Sequence, residues 1–542
     1  MEATGIVLIS LLAVVLSGFV ARVTRLPAPL VQIALGAAIF YSSLTAVVLD
    51  PQVFFLLFLP PLLFLDGWRI PKDDLLRDAS TVLKLALGLV VFTVLGMGFF
   101  IHWLIPAMPL AVSFALAAVI SPTDPIAVSA IAGRAKVPAR LMHILQGEAL
   151  LNDASGLVCM RFAVAAALTG SFSLPHALAS FLWLAVGGLV IGASVTWLLV
   201  NLTFSALVRF GEDGSAQILI TLLIPFGVYL LAEHVGASGI LAAVAAGITM
   251  SFTKLSQWRA ATRLSRTAVW DTVQFAANGS IFVLLGEQIP ALLGRSPLPV
   301  DGGASQAAWW PALYVVVIVM ALATLRFAWV WTSLRMSVVR ARRLGVGSVP
   351  TSWRLVLAIS LAGVRGAVTL AGVLTLPLAM NDGTPFPTRG LAILLAAGVI
   401  VLSLVVATAC LPRVLRGLDL PAEGGHGDAE NRARIAGAEA AILAIERAQL
   451  SMADDHPHLA RHADVSKRIV DMYQQRIGRY AGGEDAEALR GEDDVIERRL
   501  RLVGLRAERS EILRTNHQHG MGDLALRAIV RELDLQETRY GG

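Results

Sequence analysis

The sequence predicts an all-α polytopic membrane protein of about 13 transmembrane helices with inverted repeats, followed by a helical cytoplasmic region. Three observations carry that prediction. Of the 542 residues, 56% are hydrophobic and only 15% are charged, whereas a soluble domain has about 25% charged residues. Mean hydropathy is +0.69. Apolar runs of the length needed to cross a bilayer, about 20 residues, recur along the first three quarters of the chain, and Lys and Arg gather in alternate connections between them.

The runs fall near 4–21, 28–48, 51–65, 80–104, 110–132, 144–169, 178–203, 216–234, 237–252, 271–293, 309–332, 353–379 and 390–412. The first has no basic segment ahead of it and reads as a span, not a cleaved signal. Those at 51–65 and 237–252 are short, and "AEHVGASG" between the eighth and ninth is the narrowest separation. Cys159 and Cys410 both sit in apolar runs, which argues against a disulfide framework or a zinc site.

Every odd-numbered span is followed by a basic connection: Arg22 and Arg25; Arg69, Lys72 and Arg77; Arg134, Lys136 and Arg140; Arg209; Lys254, Arg259, Arg263 and Arg266; and Arg335, Arg340, Arg342 and Arg343. The alternate connections are poor in basic residues. The positive-inside rule then places the amino terminus outside and the carboxyl terminus inside, in a bacterial inner membrane. The net charge of +5 is accounted for by these loops and calls for no nucleic-acid partner.

Two spans carry helix breakers at mid-depth. The fifth contains "SPTDPIAV", with Pro122 and Pro125 around Asp124; the twelfth contains "LAGVRGAVTLAG", with Gly363, Gly366 and Gly372 around Arg365. Proline removes an N–H and clashes with the preceding turn, and glycine weakens a helix by about 1 kcal/mol relative to alanine. The two spans lie an odd number apart and so run in opposite directions. An inverted pair of interrupted helices points to the binding site of a secondary transporter. A broken helix exposes unpaired carbonyls at a negative end and N–H groups at a positive end. Asp124 is suited to compensate the positive ends and Arg365 the negative ends. Thr123 offers an oxygen beside the same break.

The sixth span holds "GEALLNDASGLV". A carboxylate in hydrocarbon is unfavourable by roughly 2.5–3.5 kcal/mol on insertion scales, so Glu148 and Asp153 need a purpose. Asn152 and Asp153 are hard oxygen ligands of the kind small hard cations take. Asp153 can also take a proton, and a group that binds either H⁺ or a metal ion, but not both, is the core of an exchanger. Glu148 shares a helix face with Asn152 and reads as half of a buried ion pair, with Arg326 of "LATLRFAWVW" and Arg365 as the two available partners. In the third span, "VFFLLFLPPLLFLDGW", Pro60 and Pro61 are expected to break the helix, and Asp66 sits at its cytoplasmic end, where it can line an access path. In the tenth span Asn278 is interior and Glu287 is expected at the rim.

No GxxxxGK[ST] loop supports an ATP-driven pump, and no TVGYG-type filter, HExxH or paired-Cys motif occurs. No cofactor is expected. The domain organisation is 1–416 as the transmembrane part and 417–542 as a charged, helical cytoplasmic tail of regulatory role and unassigned partner. Its apolar stripes in "AAILAIERAQL" and "DDVIERRLRLVGLRAERSEIL" read as bundle or dimer contacts. His456, His458, His462, His517 and His519 read as solvated helix residues.

Four motifs, in order, carry a resemblance. "FFLLFLPPLLFLDGW", "SPTDPIAVSAI", "GEALLNDASGLV" and "GVRGAVTLA" look like the corresponding FFL…PP…(D/E)G, (T/V)DPVAV, GESLLNDG and GLRGAV motifs of bacterial sodium/proton antiporters of the NhaP type, relatives of the animal sodium/proton exchangers. The resemblance covers roughly residues 5–415. It implies a core with two crossed discontinuous helices that carries the ion, a separate part that holds a homodimer, and an ion site of Asp153, Asn152, Thr123 and Asp66. It assigns Asp124 and Arg365 to the helix ends and pairs Glu148 with Arg326. Electrogenic relatives have Asp-Asp where this chain has Asn152-Asp153, which implies one cation exchanged per proton. One departure is Ala149, where family members often carry Ser; one hydroxyl ligand is missing, and the departure bears on ion selectivity.

The resulting expectation is a monovalent cation/proton antiporter, not an enzyme, that moves Na⁺ or Li⁺ against H⁺ in pH homeostasis, with no resident metal. K⁺/H⁺ exchange is the nearest alternative. A cation channel, or an ion or pH sensor signalling through the tail, is the alternative of another class.

Overall fold

In the computed structural model the protein is described over residues 2–43, 51–69, 72–124, 139–169, 174–210, 213–252, 260–295, 310–343, 353–416, 426–453 and 459–480, with short stretches between 500 and 537. Nearly all of these residues are helical. In hydrocarbon each backbone N–H and C=O must be paired inside its own segment, which helices achieve. The helices are α1 (Glu2–Thr24), α2 (Ala28–Ser43), α3 (Pro51–Arg69), α4 (Lys72–Leu104), α5 (Leu110–Ile120), α6 (Ala139–Thr169), α7 (Leu174–Phe210), α8 (Gly214–His234), α9 (Gly239–Phe252), α10 (Ala260–Arg295), α11 (Trp310–Arg343), α12 (Trp353–Leu361), α13 (Ala367–Leu374), α14 (Arg389–Leu415), α15 (His426–Ala453) and α16 (Leu459–Tyr480). Six stretches, in α1, α7, α8, α10, α11 and α14, are long and apolar enough to cross a membrane, and α2, α4, α5, α6 and α9 contain shorter apolar stretches. The chain is a multi-pass membrane protein. Among the described residues the only β-type pairing is an isolated bridge, Ala379 to Pro385, in the turn before α14.

The chain separates into two compact units, Met1–Leu418 and Asp419–Gly542. In the second, α15 and α16 pack on one another. In the first, two groups of helices are distinguishable by packing. One joins α2 to α10, α3 to α9, α7 to α9, and α8 to its neighbours. The other joins α4, α5 and α6, and α11 with α12 and α14. In the first group small residues bring backbones together. A Cβ at Gly36 would overlap the Val283 carbonyl, one at Gly286 the Ile33 carbonyl, and one at Gly247 the Phe64 carbonyl. Close packing of this kind is how helices associate where lipid is as apolar as they are.

Two expectations are corrected. Pro60 and Pro61 do not break the third span: α3 runs through both from Pro51 to Arg69. Neighbouring helices compensate proline inside membrane helices, and α9 lies close enough along α3 for Gly67 to face the Val244 carbonyl. Glu287 is not at a rim; it is only 2% exposed. It lies on α10 where that helix packs on α2, its backbone N–H beside Gly36. The histidines at 456, 458, 517 and 519, and the side chain of His462, lie outside the described residues.

Candidate functional site

The site is built where two helices stop in the middle of the protein. Helix α5 ends at Ile120, and Ser121 to Asp124 continue without helical structure; the following residues, 125–138, lie outside the described residues. Helix α12 ends at Leu361, residues 362–366 are non-helical, and α13 begins at Ala367 with Gly366 as its N-cap. The two breaks are tied to each other: the Asp124 N–H donates to the Val364 carbonyl at 2.7 Å.

The charged residues sit at the helix ends this crossing creates. Arg365 donates from Nε to the Ile120 carbonyl, the last of α5, at 2.9 Å, and from Nη1 to the Gly363 carbonyl. Its own N–H donates to Ser403 Oγ on α14 at 3.3 Å. A guanidinium at a helix C-terminus satisfies orphan carbonyls and opposes the negative end of the dipole. Asp124 lies at the opposite kind of end. Its carboxylate rests against Gly366, so closely that a Cβ there would overlap it, and so faces the positive N-terminus of α13.

Helix α6 lies across α5 at this level. Gly156 permits this, since a Cβ there would collide with the Pro122 ring and the Ala118 carbonyl. One turn earlier, α6 presents Asn152 and Asp153, which are 1% and 7% exposed. Asn152 Nδ2 donates to Thr123 Oγ1 at 3.0 Å. Arg326 of α11 donates from Nη1 to the same oxygen at 3.4 Å and from Nε to the Ile359 carbonyl, near the end of α12, at 3.2 Å. Thr123 Oγ1 therefore has both lone pairs engaged, while Asn152 Oδ1 is buried and receives no hydrogen bond from any described residue. That oxygen, next to the Asp153 carboxyl, is an acceptor that a cation or a water would satisfy.

Asp66, partly buried on α3, comes from the other group of helices. Asp153 is within electrostatic range of both Asp124 and Asp66, and Asp66 of Asp124 and Arg69. Three carboxyls at one crossing make a focus of negative charge able to attract a cation. Asp153, Asn152, Thr123, Asp124, Arg365, Arg326 and Asp66 thus come together from five segments. The Glu148 side chain lies outside the described residues.

The Thr123 contacts set an expected result. Thr123→Val keeps the shape but leaves the Asn152 amide and a guanidinium N–H without their acceptor, at a cost of about 1–3 kcal/mol. The apparent KM for the cation should rise by roughly tenfold, the equivalent of about 1.4 kcal/mol, with a lower Tm. Unchanged KM and Tm in purified protein would show the contact to be idle.

Sequence reasoning passed over several residues here. Ser403 and Gly156 gave no distinguishing signal, because a lone Ser or Gly in an apolar run is common. Arg161, in "CMRFAV", and Glu233, in "LLAEHVG", did carry one: each is an ionisable residue in or beside a span, where such residues are rare.

Comparison with known proteins places the chain in a family. A family model described as "Sodium/hydrogen exchanger, transmembrane" matches residues 7–417. The chain is 41% identical over 550 residues, 99% of each chain, to an uncharacterised Na⁺/H⁺ exchanger of Escherichia coli, YjcE. It is 42% identical over 428 residues, 76% of this chain and 61% of the other, to a sodium, potassium, lithium and rubidium/H⁺ antiporter of Bacillus subtilis. The fold is similar to that of the sodium proton antiporter MjNhaP1 of Methanocaldococcus jannaschii, with a TM-score of 0.58 and 19% identity, over 77% of this chain and 99% of that one. With the family match spanning all the helices of the first unit, the chain belongs to the sodium/hydrogen exchanger family of membrane antiporters.

Proposed function

We propose that this chain exchanges Na⁺, and Li⁺ with it, for H⁺ one for one, with Asp153 as the group that carries either ion in turn. The observation that carries the reading is the pairing of a buried carboxyl with Asn152 Oδ1, which receives no hydrogen bond from a described residue, at a helix crossing whose end charges Asp124 and Arg365 face. Because those two residues face helix ends, the charge at the site that changes with each ion is that of Asp153. Thr123 supplies its carbonyl, or its hydroxyl once a donor is released, and Asp66 supplies charge on the access path. Glu148 pairs with Arg326 in this reading and fixes α6 against α11.

The cycle follows from competition. Facing one side, Asp153 loses its proton and binds Na⁺. The α4–α6 and α11–α14 group then moves against the α1–α3 and α7–α10 group, and the site meets the other side, where H⁺ displaces Na⁺. Each tenfold gradient of either ion supplies about 1.4 kcal/mol. The basic loops lie in the cytoplasm, the first residues outside, in the inner membrane of a bacterium. The protein works as a homodimer in the lipid bilayer, and 417–542 is a regulatory tail. The Escherichia coli relative's name supports Na⁺, while the Bacillus subtilis relative's name includes potassium, so K⁺/H⁺ exchange remains the second reading.

Proteoliposomes with an imposed pH gradient and a pH-sensitive dye test this. Dequenching on addition of Na⁺ or Li⁺, unaffected by a valinomycin-clamped potential, is the expected result. Dequenching by K⁺ alone would move the assignment to potassium, and voltage dependence would overturn the one-for-one ratio. No response to any of the three ions would overturn the exchange reading.

A further inference from the structure

A salt bridge joins the two groups of helices far from the ion site. Arg161 Nη2 of α6 donates to Glu233 Oε1 of α8 at 2.8 Å. The same carboxylate oxygen accepts from the Gly239 N–H at 3.1 Å, the first residue of α9. Tyr229, one turn before Glu233, lies within range of both charges, and its ring fills the space where a side chain at Gly239 would go. Glu233 is thus built into the α8–α9 turn by bonds on its own side. Arg161 belongs to the helix that carries Asn152 and Asp153. It lies eight residues beyond Asp153, about 12 Å along the helix.

The sidedness comes from chain direction. Helix α6 starts after Arg134 and Lys136, with Arg140 in its first turn, and α8 starts after Arg209. Both run away from the basic loops, so the pair lies on the opposite face from them, which is the outer face by the positive-inside rule. Both side chains are about one-third exposed, 34% and 33%. A pair of that exposure is weak enough to be broken and remade, unlike a fully buried pair, whose separation leaves a charge stranded.

We propose that Arg161 and Glu233 are the outer latch of the transport cycle: closed while the ion site faces the basic-loop side, and necessarily open when α6 moves to present Asp153 to the outer side. The proposal rests on the alternating-access reading above. A slide of α6 against α8 by several ångströms separates the two charges, because Glu233 is held in place by the Gly239 N–H and does not follow. The latch then biases the resting population toward the inward-facing state, and by linkage it sets the affinities seen from the two faces in opposite directions.

The test uses the full-length protein in proteoliposomes of known orientation. Glu233→Gln keeps an acceptor for the Gly239 N–H but removes the charge. The expected result is an apparent KM for Na⁺ raised about threefold or more from the basic-loop face and lowered by a similar factor from the other. A merely structural role would change both in the same sense. In a Cys159→Ala, Cys410→Ala background, which must itself exchange, the pair Arg161→Cys and Glu233→Cys is bridged with a short, reducible thiol cross-linker. Exchange should stop on bridging and return on reduction. Full exchange in the bridged protein, or KM values that move together or not at all, would overturn the latch. Failure of the unbridged background and of the unmodified protein to exchange would instead overturn the antiport reading itself, since it appears before any latch residue is altered.

Discussion

Asp153→Asn is expected to abolish cation/proton exchange while leaving a folded protein. The substitution keeps the size of a side chain that is 7% exposed, and it keeps an oxygen. It removes the one property the proposed cycle needs, which is a charge that H⁺ can cancel. Two unit charges at 4 Å attract by about 4 kcal/mol at an effective dielectric of 20, so a neutral amide should weaken cation binding by roughly a thousandfold. The proton side of the exchange vanishes altogether, because an amide does not titrate. The expected outcome is dye dequenching at the background of empty liposomes at every Na⁺ concentration, with a Tm equal to or above that of the unmodified protein. Asp66→Asn offers the contrast. Asp66 is only partly buried and in the proposed cycle acts through the field at the site, so this substitution should raise the apparent KM with turnover retained. Exchange retained in Asp153→Asn, or abolished only in Asp66→Asn, would move the carrier away from α6.

Much of this site was legible before any coordinates, and the reason is electrostatic. A bilayer makes each buried charge so unfavourable that "SPTDPIAV", "GEALLNDASGLV" and "GVRGAVTLA" stand out from an apolar background, and their Pro and Gly content marks where helices stop. The prediction that Asp124 and Arg365 answer opposite helix ends needed only the direction of the peptide dipole. What the residues did not disclose is which face of each helix meets protein and which meets lipid. Both surroundings are apolar, so hydropathy does not separate them. Glu287 was therefore read as a rim residue although it is buried against α2, and Pro60–Pro61 as a break although α9 supports the helix through them. Ser403, which accepts from the Arg365 N–H, sits in a run where any small residue would look the same. Arg161 and Glu233 were visible as charges, but their pairing depends on two spans that are remote in sequence meeting at one end.

Gly366→Ala is the substitution with the largest expected structural effect. Its added methyl would occupy the place of the Asp124 carboxylate, and that carboxylate has little freedom to leave. The Asp124 backbone is held to Val364 at 2.7 Å, and displacing the side chain takes it from the N-terminus of α13. Overpacking of a filled site costs about 1–3 kcal/mol, and taking a partly buried carboxylate from a helix N-terminus up to about 2 kcal/mol more. Loss of exchange together with a marked drop in Tm is expected. Two other glycines calibrate it. At Gly363 a Cβ would approach Arg326 Cδ at 2.9 Å, a longer approach than that to the Asp124 carboxylate at Gly366, so Gly363→Ala should be milder. At Gly390 nothing lies within 4 Å and the position is helical, so Gly390→Ala should be neutral or slightly stabilising. Asp124→Gly combined with Gly366→Ala separates crowding from charge. The three atoms nearest the added methyl all belong to the Asp124 side chain, so glycine makes room for it but leaves the positive end of α13 unanswered. Recovery of Tm without recovery of exchange would place the requirement for Asp124 in its charge. Recovery of both would mean that the crossing needs only space, and would overturn the assignment of Asp124 to the helix end.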